Sequence, residues 1–324
     1  MRAVVLVGGE GTRLRPLTLT TPKQMLPIGG RPMIERVMDC LSSHGVDEAV
    51  LSLGYRPDAF LKAYPDGECA GVRLHYAVED SPLDTAGAIR FAALEGGVEE
   101  TFVVVNGDVI TTLDVTALVQ FHRDRSAEAT IALTPVEDPS AFGVVPTRED
   151  GQVIAFIEKP AREEAPTNLI NAGTYVLEPS VLDRIPAGRR VSIERETFPA
   201  LVAEGRLYAL GSEASWLDAG TPAAYLAANL VHAPVGPRTW EGGGRAENSV
   251  IGEDVVVEAG AVVEDSVLMD GVTVGAGATV SGSIVAAGAR IGAGARVEGL
   301  SVIGDGWVVE ADAVVSAARL PSGS

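Results

Sequence analysis

The sequence predicts two architectures in series: an α/β domain on a mainly parallel sheet with helices on both faces, then a parallel β-helix built from hexapeptide repeats. Three observations carry this. Short apolar runs alternate with segments of helical period from residue 1 to about 232, a Pro- and Gly-rich stretch without period follows, and aliphatic residues then recur about every six positions.

Taken in order, the strand candidates are 2–7 (RAVVLV), 49–53, 72–77, 102–106, 129–134 and 172–177. Between them, Pro32 opens a run in which Ile34, Val37, Met38 and Leu41 fall at helical spacing, and 85–94 and 115–125 also read as helices. Strands and helices alternating in this order imply a sheet covered on both faces, with ligands at the carboxyl ends of its strands. The stretch 233–248 (APVGPRTWEGGGRAEN) is read as a linker between a domain at 1–232 and one at 249–318, with a tail at 319–324.

Beyond the linker, Ile251, Val257, Val263, Leu268, Val274, Val280, Val285, Ile291, Val297, Ile303, Val309 and Val315 are six residues apart, except for two steps of five at 263 to 268 and 280 to 285. Glycine, alanine, serine and acids fill the positions between. One inward aliphatic per six residues is the pattern of a β-helix, in which three short strands make a coil and stacked coils bury a continuous ladder. The period alone does not give the hand; a left-handed coil is the expectation.

Composition narrows the function. With 324 residues and a formal charge of −19, the chain opposes non-specific attraction to nucleic acid or to an anionic membrane surface, so neither is an expected partner. The apolar run after Met1 and Arg2 is too short for a signal peptide or a spanning helix, which predicts a cytoplasmic protein. Cys40 and Cys69 form no CxxC and have no histidine at zinc spacing, so they are expected to be reduced and structural.

Lysine is scarce, with only Lys23, Lys62 and Lys159 in the chain. Against that background the opening stretch VGGEGTRLRPLTLTTPK, residues 7–23, stands out. Gly8, Gly9 and Gly11 follow a strand directly, so backbone N–H groups can approach an anion closely. Arg13, Arg15 and Lys23 follow within 12 residues of Gly11. This is neither a Walker A sequence nor GxGxxG, but glycines plus local cations in an acidic chain point to a polyphosphate, with arginine suited to bidentate contact and lysine to a point charge.

This stretch resembles the signature of the sugar-1-phosphate nucleotidylyltransferases, the nucleotide-sugar pyrophosphorylases, whose catalytic domain is Rossmann-like. The resemblance covers nearly the whole chain, because a β-helix tail is typical of one branch. It implies nucleotide binding at Val7, Gly8, Gly9, Gly11, Thr12, Arg13 and Lys23, with Arg13, Lys23 and Asp108 as catalytic residues. In VVNGDVI (104–110) and WLDAGTPAAYL (216–226), Asp108 and Asp218 match the residues that hold Mg²⁺. FIEKP (156–160) would place Glu158 on a sugar hydroxyl and Lys159 on the sugar phosphate. AFGVV (141–145) and NAGTYVL (171–177) would let Gly143, Asn171 and Gly173 admit the hexose.

EDSPLDTAGAI (79–89) resembles the base-reading loop, which implies nucleotide contacts at Glu79, Pro82, Thr85 and Gly87. Asp84 departs from the pattern, since many relatives have glycine there. Guanine presents N1–H and an N2 amino group side by side, which a carboxylate can accept together, so Glu79 leans toward guanine.

The implied partners are therefore a nucleoside triphosphate and a hexose 1-phosphate, foremost GTP and mannose 1-phosphate. UTP or dTTP with glucose 1-phosphate, and GTP with a heptose 1-phosphate, are the alternatives within the chemistry. Two other classes compete. Hexapeptide β-helices often belong to acyltransferases, but these need a histidine base and the last histidine is His232, before the repeats. A non-catalytic regulatory subunit would bind a nucleotide sugar and assemble through its β-helix; intact Arg13, Lys23, Asp108, Lys159 and Asp218 argue against it. A homo-oligomer, through the β-helix, is expected.

Overall fold

Residues 1–322 are described by a computed structural model; residues 323–324 of the expected tail lie outside the described residues. The chain divides into two units, which are Met1–Gly9 with Ile34–Trp216, and Glu10–Met33 with the chain from Leu217 onward. The loop after the first strand and residues 217–232 thus group with the chain beyond 232.

In the first unit, Ala3, Val4 and Val5 are fully buried in strand β1 (Arg2–Leu6), as a strand covered on both faces requires. It pairs in parallel with β2 (Glu48–Leu53) on one side and β4 (Phe102–Asn106) on the other, and β2 pairs in parallel with β3 (Val72–Val78). Beyond β4 the sheet turns antiparallel through β6 (Leu169–Leu177), which also pairs with β5 (Ala129–Pro135); β7 (Leu207–Gly211) lies parallel to β5. Parallel neighbours need crossover helices, supplied by α1 (Met33–Ser43), α2 (Pro57–Ala63) and α3 (Asp84–Glu95).

The order of these crossovers locates the functional end. The chain steps outward from β1 to β2 to β3, then α3 carries it back across to β4 on the far side of β1. Right-handed crossovers in opposite directions place α3 on the face opposite α1 and α2. The reversal makes the carboxyl ends of β1 and β4 a topological switch point, where open α/β sheets bind ligands. Helix α3 fits closely against the sheet because Ala86, Ala88, Ile89, Ala92 and Ala93 are buried along it.

The second unit begins with three single turns, Thr12–Leu14, Leu17–Leu19 and Lys23–Met25, followed by a hairpin of Pro27–Ile28 with Arg31–Pro32. Gly29 and Gly30 take φ of 58° and 78° at its tip, the positive pair that a tight hairpin turn demands. Helix α5 (Pro222–Leu230; α4 is Val115–Asp124) starts at Thr221, whose Oγ1 accepts from the Ala224 N–H at 3.2 Å, with proline in its first turn.

The β-helix follows as three parallel sheets. The predicted ladder is in register: Ile251, Leu268, Val285, Ile303 and Leu320 pair coil to coil, as do Val257, Val274, Ile291 and Val309, and Val263, Val280, Val297 and Val315. The stretch 233–248, expected to be a linker, carries two short strands. Arg245–Glu247 already pairs in parallel with Val262–Glu264, and Arg238–Thr239 pairs with it antiparallel. Only Ala246 of this first strand points inward and is buried, so the hexapeptide pattern, which is carried by large aliphatics, does not mark it.

A second ladder runs beside the aliphatic one. Ser249, Ser266, Ser283 and Ser301 are buried at one corner of successive coils. Ser249, Ser266 and Ser283 donate to the backbone carbonyls of Glu247, Glu264 and Ser281, and Ser301 to that of Glu298. In turn the hydroxyls of Ser249, Ser266 and Ser301 accept from the N–H of Ser266, Ser283 and Ala318 at 3.1–3.2 Å. Losing one such hydroxyl strands a buried N–H, which costs about 1–3 kcal/mol.

Candidate active site

The first unit contributes the ends of β1, β3 and β4. Val7 is buried and donates its N–H to Ser52 O at 3.1 Å, while Gly107 donates to Leu6 O at 2.9 Å, so the loops after β1 and β4 lie side by side at the switch point. Gly8 runs against the loop after β2: a Cβ there would lie 3.4 Å from Gly54 N and 3.7 Å from Glu79 Oε1. Gly9 has open space around it. Asp108 follows Gly107 directly in the loop between β4 and Val109–Thr111.

Glu79 holds its own loop together. Its Oε1 accepts from Ser52 Oγ at 2.9 Å and its Oε2 from the Leu83 N–H at 3.0 Å. Each oxygen keeps a second lone pair for a ligand. Pro82 is exposed on this loop, whereas Thr85 is half-buried and Gly87 buried. Thr85 Oγ1 donates to Glu194 Oε2 at 2.7 Å and accepts from the Ile193 N–H at 2.8 Å, and a Cβ on Gly87 would lie 3.0 Å from Arg189 O. The unusual Asp84 has φ of 61°, in the left-handed region where glycine is at ease.

The expected sugar segments gather around two glycines. Gly143 pairs with Glu158, and a Cβ there would meet the Phe156 ring at 2.5 Å and Glu158 Oε2 at 3.2 Å, so only glycine fits. Gly173 sits in a bulge of β6 with φ of 73°, where a Cβ would lie 2.6 Å from Asn106 Nδ2. Asn171 braces that bulge: its Oδ1 accepts from the Gly173 N–H and its Nδ2 donates to the Tyr175 hydroxyl, both at 2.9 Å. Lys159 is exposed, 3.4 Å from Glu158 Oε1, and has φ of 50°. Such a conformation for a residue other than glycine stores about 1–2 kcal/mol, a feature that clusters at functional sites.

In the second unit the charges converge. Gly11 has φ of 63°, and a Cβ there would strike Thr18 Cγ2 at 2.9 Å and Lys23 Cβ at 3.2 Å. Thr18 Oγ1 donates to Gly11 O at 2.9 Å, folding the loop back on its glycine. Thr12 and Arg13 lie exposed in the first turn, while Lys23 is only 6% exposed with its Nζ 3.7 Å from Asp218 Oδ1. Asp218 lies at the end of the strand Trp216–Asp218. Its Oδ1 is buried and accepts no hydrogen bond, and a stranded acceptor of this kind fits a ligand or a hard cation such as Mg²⁺. Among the described residues, no cluster of three or more His, Cys, Asp or Glu forms a ready metal cage.

Gly220 is the residue that sequence reasoning missed. A Cβ there would lie 2.7 Å from Arg13 Nη2, 2.7 Å from Asp218 Oδ1 and 3.0 Å from Lys23 Nζ, so three charged groups close over a position with no side chain. Its signal was present in WLDAGT, where a glycine follows Asp218 by two residues before the Thr221 cap. Among the described residues, no helix is long and apolar enough to cross a membrane.

The family model described as nucleotidyl transferase matches residues 2–233, and that described as the GMPPB C-terminal domain matches 245–322. The chain is 46% identical over 223 residues to a mannose-1-phosphate guanylyltransferase of Mycobacterium tuberculosis, a match taking in 68% of this chain and 61% of that protein. It is 42% identical over 238 residues to a mannose-1-phosphate guanyltransferase of Aspergillus fumigatus, covering 72% of this chain and 64% of the relative. The matches thus span less than two thirds of these curated relatives' own length. Among solved structures, HddC from Yersinia pseudotuberculosis superposes with a TM-score of 0.61 at 30% identity, over 70% of this chain and 97% of that one. A putative glucose-1-phosphate thymidylyltransferase from Bacillus anthracis gives 0.65 at 26% identity, over 72% of this chain and 95% of that one.

Proposed function

This chain belongs to the nucleotidyl transferase family, and we propose that it joins GTP to mannose 1-phosphate, giving GDP-mannose and pyrophosphate. The names of the 46% and 42% identical relatives support the choice of substrates. The observation that carries the chemistry is the convergence of Arg13, Lys23 and Asp218 on Gly220.

An oxygen of the sugar phosphate attacks the α-phosphorus of GTP, the bond from that phosphorus to the bridging oxygen of the β-phosphate breaks, and pyrophosphate leaves with the electron pair. The nucleophile is already an anion at neutral pH, so no general base is required. Rate comes from in-line positioning and from neutralising charge. Gly9 leaves open space for the nucleotide, Gly8 and Gly11 let the nucleotide-binding loop close against Gly54 and Thr18, and Val7 and Thr12 border the nucleotide. Arg13 holds the departing pyrophosphate, Lys23 sits by the phosphates at the reacting centre, and Lys159 anchors the sugar phosphate while Glu158, Gly143, Asn171 and Gly173 shape the hexose pocket.

Glu79 accepts the N1–H and N2 amino protons of guanine on its remaining lone pairs, with Pro82 beside the base; Thr85 and Gly87 act from behind by fixing the start of α3. Asp108 and Asp218 are assigned as holders of Mg²⁺, which would neutralise phosphate charge when bound. The β-helix is assigned as the surface through which copies of the chain assemble.

Pyrophosphate release tests this reading directly, with GTP, UTP, dTTP, ATP and CTP crossed against mannose, glucose and heptose 1-phosphates in Mg²⁺. A single strong response at GTP with mannose 1-phosphate is expected. A response at another pair would replace the substrates, and none at any pair would overturn the enzyme reading.

A further inference from the structure

The three faces of the β-helix differ in what covers them. Outward-pointing Val256, Val308 and Val314 are 48%, 52% and 65% exposed, while Val267, Ile284 and Val302 on the third face are 2%, 0% and 0% exposed. Helix α5 packs against this third face at Val267–Leu268. Farther along the same face, after the strand Val302–Ile303, comes the turn Gly304–Asp305.

That turn meets the loop 10–33 within the same unit. A Cβ on Gly304 would lie 3.2 Å from Pro16 Cβ, so the β-helix backbone comes as close to the loop as a residue without a side chain permits. Asp305 Oδ2 accepts a hydrogen bond from Thr20 Oγ1. Pro16 and Thr20 bracket the turn Leu17–Leu19, which is closed by Leu19 N–H donating to Pro16 O at 3.0 Å. Thr18, inside that turn, is fully buried and bonds Gly11 O. Arg13 stands three residues before Pro16 and Lys23 three after Thr20.

We propose that the Gly304–Asp305 turn of the β-helix is a positioning element for the loop that carries Arg13 and Lys23, gripping it at Pro16 and Thr20. The proposal rests on the nucleotidyl-transfer reading above. It gives the repeat domain a part in catalysis besides assembly. A loop of three single turns has no regular structure to fix its cations, and transition-state groups must be held to a fraction of an ångström. The hairpin end is already tied, since Asn229 Oδ1 accepts from the Gly29 N–H at 3.0 Å and the Tyr225 hydroxyl donates to Pro27 O. The β-helix turn ties the middle, on the other side of Lys23.

The test uses the full chain with Thr20→Val, Asp305→Ala and the pair, reading kcat, KM, Tm and amide hydrogen exchange. Each single change is expected to lower kcat about tenfold with little change in KM or Tm, because positioning acts on the reacting geometry. The double variant should be no worse than either single one, and Asp305→Asn, which keeps an acceptor oxygen, should recover most of the rate. Exchange should quicken across 12–25 and stay unchanged in Phe102–Asn106. Unchanged exchange in the loop overturns the proposal, as do quickened exchange at full kcat or losses that multiply in the double variant. A wild-type chain with no nucleotidyl transfer overturns the parent reading and the catalytic part of this one, while exchange still decides whether the turn holds the loop.

Discussion

The loop at 10–33 and the loop at 79–87 both follow parallel strands and both carry predicted nucleotide contacts, yet they are finished differently. In the second, Glu79 and Thr85 already have partners within the protein: Glu79 spans Ser52 and Leu83, and Thr85 bonds Glu194 and Ile193. In the unit containing the first, Asp218 Oδ1 is buried with no hydrogen bond, Lys23 lies 3.7 Å from it, and Gly220 leaves a space ringed by charge. The difference teaches where ligand chemistry is to be sought. A loop with satisfied groups presents a shape, and a loop whose cations meet a stranded acceptor around a glycine elsewhere in its unit is completed by what it binds.

The largest effect expected from breaking this contrast is at Lys23. Lys23→Ala removes the buried cation, and turnover should fall about a thousandfold with the fold retained by circular dichroism. Near-wild-type turnover would remove Lys23 from the chemistry. Gly220→Ala, a change of one methyl group, should lower kcat about a hundredfold because Arg13, Lys23 and Asp218 must all move; a steady-state assay beside a thermal melt separates this from unfolding.

Smaller effects belong to the satisfied loop. Glu79→Gln exchanges an acceptor pair for one acceptor and one donor, so the ratio of kcat/KM for GTP to that for UTP should drop about tenfold or more. An unchanged ratio would take base reading away from Glu79. Asp84→Gly should stabilise the protein by about 0.5–1 kcal/mol in urea melts, because φ of 61° suits glycine better than aspartate.

Away from both loops, stability should depend on pH through His122. Its ring is buried, with Nδ1 2.8 Å from Thr130 Oγ1 and Nε2 3.0 Å from Glu178 Oε1, and burial holds its pKa below the ordinary 6.5 despite the carboxylate. The unfolded chain therefore takes up the proton first. The neutral histidine's contribution is complete above pH 6.5 and is lost as pH falls from there through the lowered native value. Urea midpoints measured from pH 7.5 to 5 should decline in this window, and His122→Gln should flatten the decline.

The central strands were legible because parallel strands buried on both faces read as unbroken runs such as AVVLV and FVVVN. The β-helix was legible because its ladder needs one large aliphatic per strand. Its first strand was not, since Ala246 fills the inward place there and gives no periodic signal. The antiparallel edge was legible only in part: Gly143–Val144 and Ile157–Glu158 are two-residue strands, too short to show a period. The cations Arg13 and Lys23 stood out because lysine is rare and the chain acidic. Gly220, Thr18 and the Thr20–Asp305 contact did not, because each depends on approaches between residues far apart in sequence, and a glycine that makes room looks like any other glycine until its neighbours are placed.

The central claim is that a sugar phosphate oxygen attacks the α-phosphorus of the nucleotide and expels pyrophosphate in one displacement. Mannose 1-phosphate labelled with ¹⁸O on its phosphate tests it, with the products followed by ³¹P NMR. All of the label should stay in GDP-mannose, including the new bridging position, and the pyrophosphate should carry none. Label in pyrophosphate, or GTP consumed without GDP-mannose, would contradict the account.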